Sequence, residues 1–290
     1  MWLIAGGTGQ LGIALGRVLE AQSIPYVSMG SAELDIRNSN QTSQILHSLK
    51  PSIVVNAAAW TDVDGAEKNE IDAYAVNATG AANLADASRE IGAKFVHIST
   101  DYVFSGEASE PWKEEDSHSP ISAYGRTKAA GETFVLDIYP ENSYIVRTAW
   151  LYSPWGKNFV KTMKKLALSN NQEVRVVNDQ IGQPTSAISL AEQIVKLIRS
   201  DAPVGIYHGT NAGQTNWFEF AQEIFLALKV DVSRVKPVAT SEYKQVAKRP
   251  SFSVLSHNRW SNTSITPMPE WNVALTKILS DLEVDSSGSL

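Results

Sequence analysis

The chain has 290 residues, with 25 Lys and Arg against 31 Asp and Glu, a formal charge of −6. A mild acidic excess without any basic run excludes attachment by counterion release to nucleic acid or by attraction to an anionic membrane surface. With 43% hydrophobic residues, 19% charged residues and no cysteine, the sequence describes an ordinary globular protein lacking disulfides, thiolate metal sites and sulfur nucleophiles.

Short apolar runs alternate with longer helix-forming stretches through the first half. Strands are predicted at Trp2–Ala5, Pro25–Met29, Ser52–Asn56, Lys94–Ser99 and Ser143–Arg147, and helices at Gln10–Ala21, Gln41–Leu49, Ala66–Ile91 and Ala123–Ile138. That alternation predicts an α/β fold, a doubly wound (Rossmann) parallel sheet. After Trp150 the rhythm changes: a helix near Asn158–Ser169, a strand at Glu173–Val177, a helix near Ser189–Ser200 and an extended Gly205–Gly209. A helix over Trp217–Leu228, a Pro-bearing loop at Lys236–Ser251 and a closing helix around Trp271–Leu282 follow. We therefore expect a dinucleotide-binding domain over residues 1–150, segments returning to it within roughly 178–210, and a smaller C-terminal α/β substrate domain mainly over 151–290. The terminal Asp285–Leu290 stretch has little to bury and is expected to fray. The opening Met1–Gly7 has no basic residue before its short apolar run, and nothing later approaches the roughly 18 apolar residues of a membrane span. A cytoplasmic chain without a membrane partner is expected.

Gly6-Gly7-Thr8-Gly9-Gln10-Leu11-Gly12 lies between the first predicted strand and helix. Glycines there let the backbone approach a pyrophosphate, whose charge is met by unpaired amides and the positive end of the helix. A tight turn explains such glycines too, but their place at the first strand-helix junction favours a dinucleotide. The acidic residue that usually ends the second strand is missing, since Met29-Gly30-Ser31 stands there with Glu33 and Asp35 beyond. No carboxylate repels a 2′-phosphate and no arginine greets it, so NADPH is slightly favoured and NADH stays open.

Tyr124 and Lys128 are four apart in a predicted helix and share one face. A nearby ammonium stabilises a phenolate, so Lys128 is expected to lower the pKa of Tyr124 and make it an acid-base catalyst. Thr100 ends the preceding strand, at the edge where open α/β sheets bind ligands, and is expected to orient a substrate carbonyl.

These motifs resemble the extended short-chain dehydrogenases/reductases, and within them the dTDP-4-dehydrorhamnose reductase family. The resemblance runs through Val54-Val55-Asn56-Ala57-Ala58-Ala59, Val76-Asn77-Ala78, Ser99-Thr100-Asp101-Tyr102-Val103-Phe104 and Arg147-Thr148-Ala149-Trp150. It continues through Gly156-Lys157-Asn158-Phe159-Val160, Asn178-Asp179-Gln180-Ile181-Gly182-Gln183-Pro184-Thr185 and Arg249-Pro250. The resemblance implies hydride transfer from NADPH or NADH to the C4 keto group of a dTDP-6-deoxyhexose. It implies Tyr124 as proton donor, Lys128 as its tuning partner and Thr100 as carbonyl holder. Gly6, Gly9, Gln10, Leu11 and Gly12 would hold the cofactor, with Asp35 and Ile36 near its adenine and Ala57, Ala58 and Ala59 beside its phosphates and ribose. Asp101, Trp150 and Asn158 would line the sugar, and Arg249 would grip the nucleotide diphosphate. Some relatives bridge two subunits through magnesium on glutamates, where this chain has Ala14 and Ile188. No metal is therefore expected, and a monomer is favoured slightly over a homodimer. Two alternatives remain open, a nucleotide-sugar epimerase or 4,6-dehydratase and a non-catalytic regulatory relative.

Other signals have plainer readings. The five histidines show no metal-ligand spacing, and His97, between Val96 and Ile98, reads as a hydrogen-bonded core residue. Glu114-Glu115-Asp116 reads as a solvated turn. Trp155 and Trp217 read as core or interdomain packing, whereas Trp150 ends a strand and faces the crevice.

Overall fold

The run Trp2–Ala5 (β1) is buried along its whole length, as a strand apolar on both faces must be, and it sits inside a parallel sheet. The structure is a computed structural model that describes residues 1–169 and 172–287. From β1 the chain passes through α1 (Gln10–Ala21) to β2 (Tyr26–Met29), then through α2 (Ser39–Leu49) to β3 (Ile53–Asn56) on the other side of β1. Helices α3 (Val63–Lys68) and α4 (Glu70–Tyr74), one π-helical turn (Ala75–Thr79) and α5 (Gly80–Glu90) lead to β4 (Lys94–Thr100). Then come α6 (Ala123–Ile138), β5 (Ser143–Thr148), β6 (Leu151–Tyr152), α7 (Phe159–Ser169), β7 (Val174–Val177), β8 (Ile181–Gly182), β9 (Thr185–Ser186) and α8 (Ala187–Arg199). The chain next returns to the sheet as β10 (Gly205–His208), beside β5. It ends through β11 (Thr215–Asn216), α9 (Trp217–Ala227), β12 (Val235–Val238) and α10 (Trp271–Ser287).

The sheet order is β2-β1-β3-β4-β5-β10, all parallel. Successive crossovers leave β1 in opposite directions, so the carboxyl ends of β1 and β3 flank a switch-point crevice. One face of the sheet is covered by α1 and α8, where Leu11, Leu15 and Leu19 meet Leu190, Ile194 and Ile198 over Ile4, Val55 and Val96. Ala14 is fully buried there and Ile188 packs against the same cluster. On the other face Leu46, Leu84 and Val135 of α2, α5 and α6 cover Leu3, Val54, Phe95 and Ile145. A separate cluster joins α7, α9 and α10 through Tyr152, Val160, Met163, Phe220, Phe225 and Leu275, beside the parallel β7-β12 pair.

The single helix predicted over Ala66–Ile91 is divided. Asn69, at φ −134° and ψ 47°, leaves helical geometry between α3 and α4, and Asp62 caps α3 by accepting from Gly65 N. The π-helical turn brings Asn77 against α6 at Gly131, where a Cβ would stand 2.2 Å from the Asn77 carbonyl oxygen. At the C-terminus α10 continues through Ser287, so residues 285–287 are helical where fraying was expected, and residues 288–290 lie outside the described residues. Among the described residues no helix is long and apolar enough to cross a membrane.

Candidate active site

The glycine loop turns because Gly6 N and Gly7 N both donate to the Met29 carbonyl, at 2.9 and 2.8 Å, and because Gly6 adopts φ +83°. A Cβ on Gly6 would lie 2.5 Å from Ala58 N, and one on Gly12 2.3 Å from Gly6 O. Gly12 thus serves the contact between helix and loop and does not line the cavity beyond. Helices α2, α3, α6, α8 and α9 start on a side-chain cap, but α1 starts at Gly9 without one and has no acid in its first turn. Its N-terminus is left for an external anion.

Two cavities meet at this loop and share Thr8, Gly9 and Ala57–Ala59. The smaller, about 330 Å³, is lined by Gly6, Ser31, Asp35, Ile36 and Arg37. The larger, about 580 Å³, takes in Gln10, Leu11, Thr100, Asp101, Tyr124, Lys128, Trp150 and Trp217. Together they form an adenosine-sized recess leading into a reaction chamber, in the size range of small-molecule sites. A groove of about 420 Å³ along Lys113, Gln183 and His257 holds none of the candidate residues.

In the chamber Ser122 caps α6, accepting from Gly125 N, and so fixes the register that turns Tyr124 and Lys128 inward. The Thr100 hydroxyl donates to Asp101 Oδ1 at 2.9 Å and lies close enough to the Tyr124 phenol to favour its charged form. Burial pushes the Tyr124 phenol up to about 12, only partly offset by Thr100. The expected lowering by Lys128 is not what the structure shows. The ammonium donates to the Ile98 carbonyl at 2.6 Å and lies 3.3 Å from His97 Nε2, while burial lowers the lysine to about 8 against the opposing charge of Glu132. Asp101 is buried, and desolvation raises its carboxyl to about 6; Oδ2 has no partner at hydrogen-bond distance, although Ser253 lies close enough to favour the charged form.

Trp150 holds a left-handed backbone, φ 46°, which turns its ring onto Trp217 in a stack with centroids 3.7 Å apart. Gly182 makes room, since a Cβ there would come within 2.6 Å of the indole. Trp217 therefore combines packing against the α7-α9-α10 cluster with a place in the chamber wall. Trp155 packs against the first core under the Arg17 guanidinium.

Beneath the floor lies a second charged system. Arg147, buried on β5, donates to Glu132 of α6 through Nε and a terminal nitrogen, at 2.9 and 2.7 Å, and to the Glu114 carbonyl at 3.2 Å. Burial would raise the Glu132 carboxyl, but His118 and Arg147 outweigh it and hold the carboxyl far below its usual range. Glu114-Glu115-Asp116 forms the expected turn with Glu115 exposed, but Glu114 is not solvated. Arg147 draws its backbone inward, leaving the Glu114 side chain buried with its carboxyl 3.8 Å from His208 Nδ1.

Two residues expected at the substrate do not line the chamber. Asn158 donates to Gln10 Oε1 at 2.9 Å and to the Ser153 carbonyl, so it positions Gln10. Arg249 turns one terminal nitrogen, Nη1, to Asp64 of α3, to Gln245 and to the Ala247 carbonyl. Two others escaped the sequence reading. Arg37 faces the smaller cavity in a bidentate pair with Asp35, although no arginine was expected at that end. Asn77 accepts from Trp60 N and donates to Thr127 Oγ1, pinning the Ala57–Trp60 wall to α6. The Val76-Asn77-Ala78 motif marked that position without disclosing its partners.

The model of the RmlD substrate binding domain matches residues 1–284. The chain is similar to a dTDP-4-keto-6-deoxy-D-glucose reductase from Streptomyces niveus, 41% identical over 99% of each chain. It is similar to the crystal structure of a dTDP-4-dehydrorhamnose reductase from Clostridium acetobutylicum, with TM-score 0.93, 42% identity and coverage of 97% of this chain and 99% of that one. A dTDP-4-dehydrorhamnose reductase from Bacillus anthracis, solved in complex with NADP, gives TM-score 0.93 and 41% identity over 97% and 98%.

Proposed function

Because the chain belongs to the RmlD substrate binding domain family, we propose that it reduces the C4 keto group of a dTDP-6-deoxy-4-ketohexose with NADPH. The product is dTDP-L-rhamnose, destined for cell-surface polysaccharide. The observation that carries this reading is the convergence of Thr100, Tyr124 and Lys128 on one chamber joined to the glycine-loop recess.

The glycine cradle fits a dinucleotide, since any Cβ on Gly6 or Gly12 would close the approach to α1. Gly6, Gly9, Gln10, Leu11 and Ala57–Ala59 would hold the phosphates and ribose, with Asp35 and Ile36 toward the adenine. Bound there, NADPH supplies the hydride. Arg37 supports the phosphorylated cofactor through its positive charge and the Nη1 nitrogen that the pair with Asp35 leaves over for a 2′-phosphate, and NADH is the weaker alternative. Tyr124 gives its proton to the developing alkoxide, with Thr100 and Asp101 fixing the phenol's direction and Lys128 supplying positive charge nearby. Asp101 and the Trp150-Trp217 stack form the sugar wall. Asn158 and Arg249 act behind it as supports.

The chain works as two lobes, a dinucleotide-binding lobe over residues 1–150 with the 178–210 segments, and a substrate lobe mainly over 151–290. The returning strand β10 and the separate α7-α9-α10 core support that division. It acts as a cytoplasmic monomer without metal; for the last point the support is that Ala14, buried, and Ile188, partly buried, both pack on the core and offer no oxygen ligand. Light scattering after gel filtration checks the oligomeric state.

The test of activity is consumption of NADPH with dTDP-4-dehydro-L-rhamnose, followed by the loss of nicotinamide absorbance. Tyr124→Phe should lose about 10² to 10⁴ in rate. Equal rates for wild type and variant would overturn the assignment.

A further inference from the structure

Lys128 is held from below by a chain of two buried side chains. His97 and Asn56 are almost wholly buried, on the adjacent strands β4 and β3. Asn56 Oδ1 accepts from Ala58 N at 3.1 Å, which fixes the amide and leaves Nδ2 facing His97 Nδ1, also at 3.1 Å. The other imidazole nitrogen, Nε2, faces Lys128 Nζ at 3.3 Å. The ring is fully buried, with Phe95 beside it on the same strand at 6.4 Å between ring centroids, and both nitrogens already face partners.

The number of protons in this chain is constrained. Burial and the neighbouring lysine disfavour an imidazolium, so His97 carries one N–H. Asn56 Nδ2 donates to Nδ1, which puts that proton on Nε2, pointing at Lys128. An ammonium has only donors to offer, so a charged Lys128 meets His97 donor against donor. A neutral amine accepts through its lone pair, and the chain Asn56, His97, Lys128, Ile98 carbonyl is then satisfied throughout.

We propose that His97, pinned by Asn56, is a positioning residue that favours the neutral amine of Lys128 over the ammonium and thereby sets the alkaline limb of the reaction's pH profile. The effect is opposed from α6 by Glu132, whose charge favours the ammonium, and Glu132 is itself engaged by Arg147 of β5 and His118. Tyr124, from the turn before, carries no charge to oppose it until it gives up its proton. The ammonium is the form that supports that phenolate, so the pH at which Lys128 discharges limits turnover.

This inference rests on the reductase reading, and its test includes a readout independent of turnover. In the ¹⁵N-labelled whole protein, long-range ¹H–¹⁵N spectra report which His97 nitrogen carries the proton. We expect Nε2–H above pH 9, where Lys128 is neutral; a proton on Nδ1 there overturns the proposal. A Lys128 titration followed by ¹³C NMR should move upward by about one pH unit in His97→Gln and His97→Leu, because a hydrogen bond of ordinary strength is lost to the neutral form. The alkaline limb of kcat/KM should move with it. An unmoved titration in both variants overturns the proposal, whether or not the protein turns over this sugar. Asn56→Asp reverses the tautomer by accepting from Nδ1–H, and should raise the Lys128 titration more when His97 is present than in His97→Leu. Equal shifts in the two backgrounds count against the proposal. Should the variants fail to fold, the wild-type tautomer decides.

Discussion

Replacing Asp101 by Asn should stabilise the protein at neutral pH. Burial raises this carboxyl from 3.8 to about 6, against hydrogen bonds that favour its charged form. The folded state therefore holds the proton more tightly than the unfolded chain, and the stabilisation present below the unfolded value is lost as pH rises through the folded one. A shift of about 2 units corresponds to roughly 3 kcal/mol of destabilisation above pH 7, falling to about 1 kcal/mol at pH 4.5. Asparagine keeps the carbonyl oxygen that accepts from Thr100 and turns an amide toward Ser253, so most of that cost should be recovered. For a chain of this length a gain of about 2 kcal/mol raises Tm by about 3 °C. Differential scanning fluorimetry at pH 7.5 and 4.5 reads both quantities. A lower Tm in Asp101→Asn at pH 7.5, or an equal gain at both pH values, refutes the reasoning that the charge is held at a cost.

Glu132→Ala leaves the buried Arg147 guanidinium without its carboxylate and should cost about 3–5 kcal/mol in urea unfolding. Its pH signature is opposite to that of Asp101: the wild-type contribution of Glu132 is present above its unfolded value near 4.5 and is lost as pH falls below it. Arg37→Gln should weaken NADPH about tenfold or more in KM while leaving NADH nearly unchanged, as expected for loss of a charge-assisted phosphate contact. Gly12→Ala must push the glycine loop off α1, because its Cβ meets backbone at 2.3 Å. Cofactor affinity by fluorescence titration should fall at least tenfold, with a smaller loss in Tm.

Much of the first half was legible because local signals coincide there with the fold's requirements. Apolar runs bounded by turns became β1 to β5, and glycines at the first junction marked a close backbone approach that geometry makes obligatory. The Tyr124 and Lys128 pair was legible because helical spacing alone puts both on one face. Legibility ended where a side chain's partner is distant in sequence. Asn158 and Arg249 carry hydrogen-bonding groups suited to a sugar phosphate, but Gln10 and Asp64 had already taken them. Glu114 looked like surface because no sequence pattern announces that Arg147 pulls its backbone inward. Spacing showed that Lys128 shares a face with Tyr124, but not that the ammonium turns to the Ile98 carbonyl or that burial raises the phenol.

The two charged systems beneath the chamber share α6, and this explains why a buried lysine keeps a proton at all. Desolvation acts on Lys128 as it does on His97 and His208, both of which it drives toward neutrality. The same Glu132 charge acts on all three, but Lys128 starts from the higher ordinary value of an amine, while Lys128 and Arg147 push His97 and His208 further toward neutrality. Glu132 itself stays ionised because His118 and Arg147 hold it so. Its negative charge reaches Lys128 and opposes discharge, while His97 pushes the other way. Burial brings the lysine down to about 8 against the opposing charge of Glu132, and the imidazole accommodates the neutral form. A group so balanced changes charge at small energetic cost, which is what a residue beside a proton-donating phenol requires. The Arg147-Glu132 pair, remote from any substrate, is therefore part of how the site is tuned as well as how the core is held.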